Sequence, residues 1–133
     1  MIETSDLYQL AEQVCDEVIV GKFPENGSLS IMQDGMTFIG INDRFASSAD
    51  ERVHLAHECG HCARQAFYSV RAPIITRGKA ERQADEYAIE RLVPEGDFFA
   101  ACERGAVYPW QIADEFGITP KFAEKVMTYY LRG

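Results

Sequence analysis

The sequence contains no apolar run approaching the ~20 residues that span a bilayer, and no internal repeat, low-complexity tract or block of like charge. A membrane-crossing helix is therefore not expected. Positive charge is scarce: 13 Lys and Arg stand against 21 Asp and Glu, a net charge of −8. An acidic surface of that size repels phosphate backbones, so no direct nucleic-acid binding is expected. The opening Met1-Ile2-Glu3-Thr4-Ser5-Asp6 lacks the basic residues of a secretory signal, which points to a cytoplasmic protein. In that compartment Cys15, Cys59, Cys62 and Cys102 read as thiols rather than as a disulfide framework.

What is present is the composition of an ordinary domain. The 133 residues are 47% hydrophobic and 26% charged, enough to bury one core and too few for two, so residues 1–133 are expected to form a single domain. Leu7, Leu10, Ala11, Val14, Val18 and Ile19 recur at helical spacing and predict a first helix over residues 5–20, with Gly21 closing it. Pro24-Glu25-Asn26-Gly27 reads as a turn. Two β-prone stretches, 29–32 and 36–41, flank Gln33-Asp34-Gly35, and Asp-Gly between such stretches signals an antiparallel hairpin.

Further helices are predicted over 48–68, 80–92, 95–103, 110–116 and 120–131, with a Pro-containing connection over 69–79. Pro94, Gly105 and Gly117 mark breaks, and Thr119-Pro120 makes a helix start. The fold class is α+β, a mostly helical body beside a small antiparallel sheet.

All three histidines, His54, His57 and His61, fall within eight residues, and His57-Glu58-Cys59-Gly60-His61 is an H-E-x-x-H string. Positions four apart on a helix differ by about 40° in azimuth and about 6 Å in height, so both imidazoles can reach one ion. Glu58 sits about 100° around from His57, placed to address a water rather than to bind the ion. The competing reading is a partly buried helix face that happens to carry two histidines. His54 either lines the adjoining cleft or is a plain surface histidine, and it is left out of the ligand set.

A second constellation favours the metal. Glu81 and Asp85, in Glu81-Arg82-Gln83-Ala84-Asp85, share a helix face. A catalytic zinc takes three protein ligands and keeps one position open. Glu81 can be the third ligand, and Asp85 can accept the other ring N–H of a ligand histidine and fix its tautomer. Against this, Glu81 could be a solvated helix charge and Asp85 could pair with Arg82. Glu86 and Glu90 lie about 140° and about 180° around from Glu81 and should face elsewhere.

The metzincin continuation is absent, because Arg64 and Phe67 stand where it needs Gly and His. Cys59-Gly60-His61-Cys62 matches the active-site string of disulfide isomerases. That chemistry needs its first thiol at a helix N-terminus, whereas these lie in mid-helix and read as small packing residues.

With these residues assembled, the chain resembles the ImmA/IrrE family of bacterial and phage metallopeptidases. The resemblance runs through Ile39-Gly40-Ile41-Asn42, Arg52-Val53-His54-Leu55-Ala56 leading into the histidine string, Glu81 to Ala88, and Leu92-Val93-Pro94. The family typically has Leu where Cys59 stands, and often Asn and Phe at Asp85 and Tyr87. Asp85 instead gives the Glu-x-x-x-Asp form of thermolysin-like enzymes.

The resemblance implies a zincin-like fold and zinc-dependent proteolysis, with His57, His61 and Glu81 as ligands and Glu58 as general base. Two imidazoles and a carboxylate also accommodate Mn2+ or Fe2+. The implied protein substrate is a helix-turn-helix transcriptional repressor, whose cleavage relieves repression of a mobile element or a stress response. The alternative is a non-catalytic, metal-holding regulatory protein that docks a repressor. The segment 106–133 resembles a helix-turn-helix, yet three basic residues (Lys121, Lys125, Arg132) offset three acidic ones (Asp114, Glu115, Glu124). A neutral segment lacks the footprint of DNA binding, so packing or repressor docking is expected of it rather than an independent domain.

Overall fold

The structure is a computed structural model that describes residues 1–23, 27–69 and 71–132. The expected turn at Pro24-Glu25-Asn26 lies outside the described residues. Helix α1 (Thr4–Val14) opens where the Asp6 carboxylate accepts the N–H of Glu3 at 3.2 Å. It ends six residues short of the expected end. Residues beyond it form strand β1 (Glu17–Gly21). The run Val18-Ile19-Val20 is β-branched throughout and fits a pleated strand better than a helix, although Val14 and Val18 also suit helical spacing. Asp16 anchors the change of direction: its N–H donates to the Thr37 carbonyl at 3.0 Å, and its carboxylate accepts the Thr37 N–H at 2.8 Å.

Strands β2 (Ser28–Gln33) and β3 (Met36–Asn42) form the expected hairpin, with Ile31 opposite Phe38. Asp34 and Gly35 both have positive φ, 53° and 79°, as a two-residue type I′ turn requires. The sheet is larger than the expected hairpin and is not purely antiparallel. Its order is β1-β3-β2, and β1 runs parallel to β3 with Val18 opposite Ile39. Ile39 and Ile41 are fully buried, while Ser28 and Ser30 pair opposite them and therefore share their face.

Helix α2 (Ser48–Ala63) starts at Ser47, whose hydroxyl accepts the Asp50 N–H at 3.1 Å. It stops at Ala63 rather than near residue 68, because the chain turns at Gln65 (φ 50°) and the Ala66 N–H donates back to the His61 carbonyl. Helix α3 (Ile74–Leu92) begins six residues earlier than its apolar pattern indicates, directly after Pro73. Its first turns carry Ile74 and Ile75 in solvent, so no buried stripe announces them. Helices α4 (Glu95–Glu103), α5 (Pro109–Phe116) and α6 (Pro120–Leu131) follow closely where expected.

The core gathers Leu7, Ile39, Ile41, Leu55, Leu92, Phe98, Ile112 and Val126. Two contacts position α2 within it. At Gly60, a Cβ would lie 2.6 Å from the Ala84 carbonyl oxygen and 2.8 Å from the Ala84 Cα, so α2 and α3 cross almost backbone to backbone. The buried Arg52 donates to the carbonyls of Gly117 (2.9 Å) and Phe116 (3.3 Å), placing a cation on the C-terminal end of α5. No helix among the described residues is long and apolar enough to cross a membrane.

The crossing generates the first prediction. Gly60→Ala puts a methyl against backbone that cannot rotate away, so it should cost about 2–3 kcal/mol in urea unfolding. An unchanged unfolding midpoint would contradict the close approach.

Candidate metal centre

Helix α2 presents His57 and His61 from one face, and α3 brings Glu81 across the Gly60–Ala84 crossing to meet them. His57 Nε2 lies 2.9 Å from Glu81 Oε1, His61 Nε2 lies 3.0 Å from Glu81 Oε2, and the two Nε2 atoms are 3.1 Å apart. A ligand atom from each of the three residues falls within 4.8 Å of the others. Of the expected site residues, His57, His61 and Glu81 are thus brought together, and the other ring nitrogens are committed elsewhere. His61 Nδ1 is 2.6 Å from the Ala66 carbonyl oxygen, and His57 Nδ1 is 2.8 Å from Asp85 Oδ1.

These second contacts decide what the cluster can hold. A carbonyl only accepts, so His61 Nδ1 carries its hydrogen, and a carboxylate imposes the same tautomer on His57. In their neutral forms both rings then aim Nε2 lone pairs at each other and at a carboxylate. Three acceptors in that arrangement repel unless a shared cation or protons lie among them. Two imidazoles and one carboxylate are the donor set of a catalytic zinc site with an open position, and the residues fit such an ion.

The proton affinities follow the same geometry. Burial pulls the His57 imidazole toward neutrality, but hydrogen bonds to the Asp85 and Glu81 carboxylates outweigh it and push its pKa up to about 9. For His61, burial also lowers the pKa, and Glu81 with the Ala66 carbonyl reverses the sign, leaving it raised. Hydrogen bonds from His57 and His61 hold the Glu81 carboxyl well below the usual carboxylate range. Asp85 is partly desolvated, which favours its acid form, but His57 and Lys125 hold its pKa below the ordinary value. The ion pair on Asp85 comes from Lys125 of α6 (3.0 Å to Oδ2) and not from Arg82, and it leaves the His57 contact in place.

Glu58 is only 7% exposed. Its Oε2 accepts the Ser28 hydroxyl hydrogen at 2.8 Å, and the same Ser28 oxygen lies 2.8 Å from His54 Nδ1. A hydroxyl has one hydrogen to give, so His54 must donate to Ser28 through Nδ1. His54 therefore stays out of the ligand cluster and borders a cleft of ≈ 450 Å³, which β2, Glu58, Tyr68 and Glu81 also line. The Tyr68 phenol donates to Glu81 Oε2 at 2.8 Å.

The sequence does not mark Ser28, Tyr68 and Lys125 as site residues. Each reaches the site across the fold from a separate stretch of chain, and no local pattern marks it. Glu90 turns away toward Arg64 and Tyr129. Cys59 and Cys62 are 0% and 4% exposed in mid-helix, and burial pushes both thiols up to about 12. They are protonated packing groups without the activated thiolate of an oxidoreductase.

The model of a peptidase family described as the IrrE N-terminal-like domain matches residues 22–128 of the chain. No curated protein matches it.

The raised His57 pKa gives a signed expectation for the metal-free protein. A group whose folded pKa lies above its ordinary 6.5 stabilises the fold fully below that value, and the contribution is lost as pH rises through about 9. Urea unfolding of chelator-treated protein should therefore show falling stability across that window. A metal ion held by the same nitrogens would displace these protons, so its affinity should rise over the same window. A flat profile for the metal-free protein would contradict the His57 environment.

Proposed function

The chain belongs to the ImmA/IrrE family of metallopeptidases, that of the IrrE N-terminal-like domain, and from this premise we propose that it is a zinc-dependent endopeptidase acting in the cytoplasm. The observation that carries the proposal is the meeting of the His57 and His61 Nε2 atoms with the Glu81 carboxylate. In this reading His57, His61 and Glu81 hold the ion and Glu58 is the general base. When bound, the metal supplies Lewis acidity toward the scissile carbonyl and lowers the pKa of water.

The chain's own residues supply the rest. Asp85 and the Ala66 carbonyl hold the two imidazoles in the tautomer that leaves Nε2 available. Ser28 holds one oxygen of Glu58, and Glu58 lines the cleft. In this reading the Glu58 carboxylate takes a proton from the water that adds to the scissile carbonyl and passes it to the leaving amine as the C–N bond breaks.

Strand β2 gives an extended peptide a place to lie. The Asn42 N–H donates to the Gly27 carbonyl at 2.7 Å. In an antiparallel pair this directs Leu29 and Ile31 toward β3 and turns the peptide groups of Ser28, Ser30 and Met32 outward. β2 is an edge strand beside the cleft, so a substrate can add to it through main-chain hydrogen bonds.

The substrate in this proposal is a helix-turn-helix transcriptional repressor, and its cleavage lifts repression of a mobile element or stress response. The family resemblance supports this choice of substrate; the acidic net charge of −8 argues against the chain acting on DNA itself.

Glu58→Gln separates catalysis from docking. The variant should retain zinc while cleavage of a repressor encoded beside this gene falls by about 10²-fold or more. Undiminished cleavage would remove Glu58 from its role. Retained derepression without cleavage would favour a non-catalytic protein that acts by docking.

A further inference from the structure

Lys125 plays no part in the mechanism above, yet it is paired with a carboxylate that also touches a histidine of the cluster. Its Nζ lies 3.0 Å from Asp85 Oδ2, while the other oxygen of the same carboxylate lies 2.8 Å from His57 Nδ1. We infer that Lys125 is a positioning residue of the metal centre: from α6 it fixes Asp85, and through Asp85 the ring of His57. The inference rests on the metal-binding reading and extends it to the C-terminal helical segment.

The argument is one of orientation. With Oδ1 alone engaged, the Asp85 carboxylate could turn about its side-chain bonds, or swing toward Arg82 one turn earlier on α3. Either motion weakens the hold on His57 Nδ1–H and lets the ring rotate. Lys125 occupies Oδ2 and removes that freedom. Exposure of 50% for Lys125 and 22% for Asp85 makes the pair a weak contributor to folding in itself.

Rigid surroundings make α6 a usable anchor. Phe122, Ala123 and Val126 bury its apolar face, and the Thr119 hydroxyl accepts the Phe122 N–H at its start. Arg52 pins the α5–α6 turn to α2, the helix that carries His57. The chain of contacts from α2 through Asp85 and Lys125 to α6 thus returns through Arg52 to α2. Glu86 and Glu124 border the same space between α3 and α6, yet the Lys125 ammonium sits on Asp85.

The test compares full-length wild type with Lys125→Met and Lys125→Arg. Zinc affinity is read by competition with a chromophoric chelator, site geometry by the visible spectrum after cobalt loading, and fold integrity by thermal unfolding of the metal-free protein. Outer-shell partners that touch a ligand directly are worth about 10–100-fold in metal affinity. One step further out, Lys125→Met should weaken zinc about three- to tenfold and alter the cobalt spectrum. Metal-free unfolding should stay unchanged, and Lys125→Arg should restore both metal readouts.

Wild-type affinity and spectrum in Lys125→Met would overturn the inference while leaving the metal site standing. So would a loss that tracks metal-free stability or that arginine fails to rescue. A wild type that takes up no zinc would overturn the metal reading and this inference with it.

Discussion

The near-contact of two helix backbones at Gly60 and Ala84 governs the arrangement of everything around it. Gly60 lies inside the histidine string of α2, and Ala84 lies between Glu81 and Asp85 on α3. Because the helices touch there, the side chains flanking each contact point are driven into one small volume. Glu81 reaches the two Nε2 atoms and Asp85 reaches the far side of His57. A larger residue at Gly60 would push α2 and α3 apart and draw the carboxylates away from the histidines. Close packing of two backbones thus sets the geometry of a polar site.

The electrostatics then select what the volume accepts. Both imidazoles are orientated by acceptors on Nδ1, one a main-chain carbonyl and one a carboxylate. Their free nitrogens converge with Glu81, so positive charge in the middle stabilises the cluster and its absence destabilises it. Protons answer that demand in the metal-free protein, which is why His57 and His61 are raised and Glu81 is depressed. A divalent cation would answer it more fully. Glu58 stands beside the cluster with one oxygen held by Ser28. In the proposed mechanism one carboxylate neutralises charge while the other handles protons.

Much of this was legible in the sequence because it is written at helical spacing. His57 with His61, and Glu81 with Asp85, each lie four apart, and an α-helix turns such spacing into a shared face. What escaped is what spacing cannot encode. Ser28, Tyr68 and Lys125 contact Glu58, Glu81 and Asp85 across gaps of 30, 13 and 40 residues. Strand β1 was hidden because Val14 and Val18 fit a helical stripe as well as a strand, and only pairing with β3 decides between them. The first turns of α3 were hidden for the opposite reason: Ile74 and Ile75 face solvent and give no periodic signal.

The C-terminal helices gain a physical role that their helix-turn-helix appearance does not convey. The charge of the segment 106–133 is balanced, the apolar faces of its helices are buried, and their connection is held to α2 by Arg52. The most direct test of the whole account is X-ray absorption at the zinc edge of the loaded, full-length protein. The account predicts a first shell of nitrogen and oxygen at about 2.0 Å with outer-shell scattering from two imidazoles. Sulfur at about 2.3 Å, or the signature of a single imidazole, would contradict convergence of His57, His61 and Glu81 on one ion.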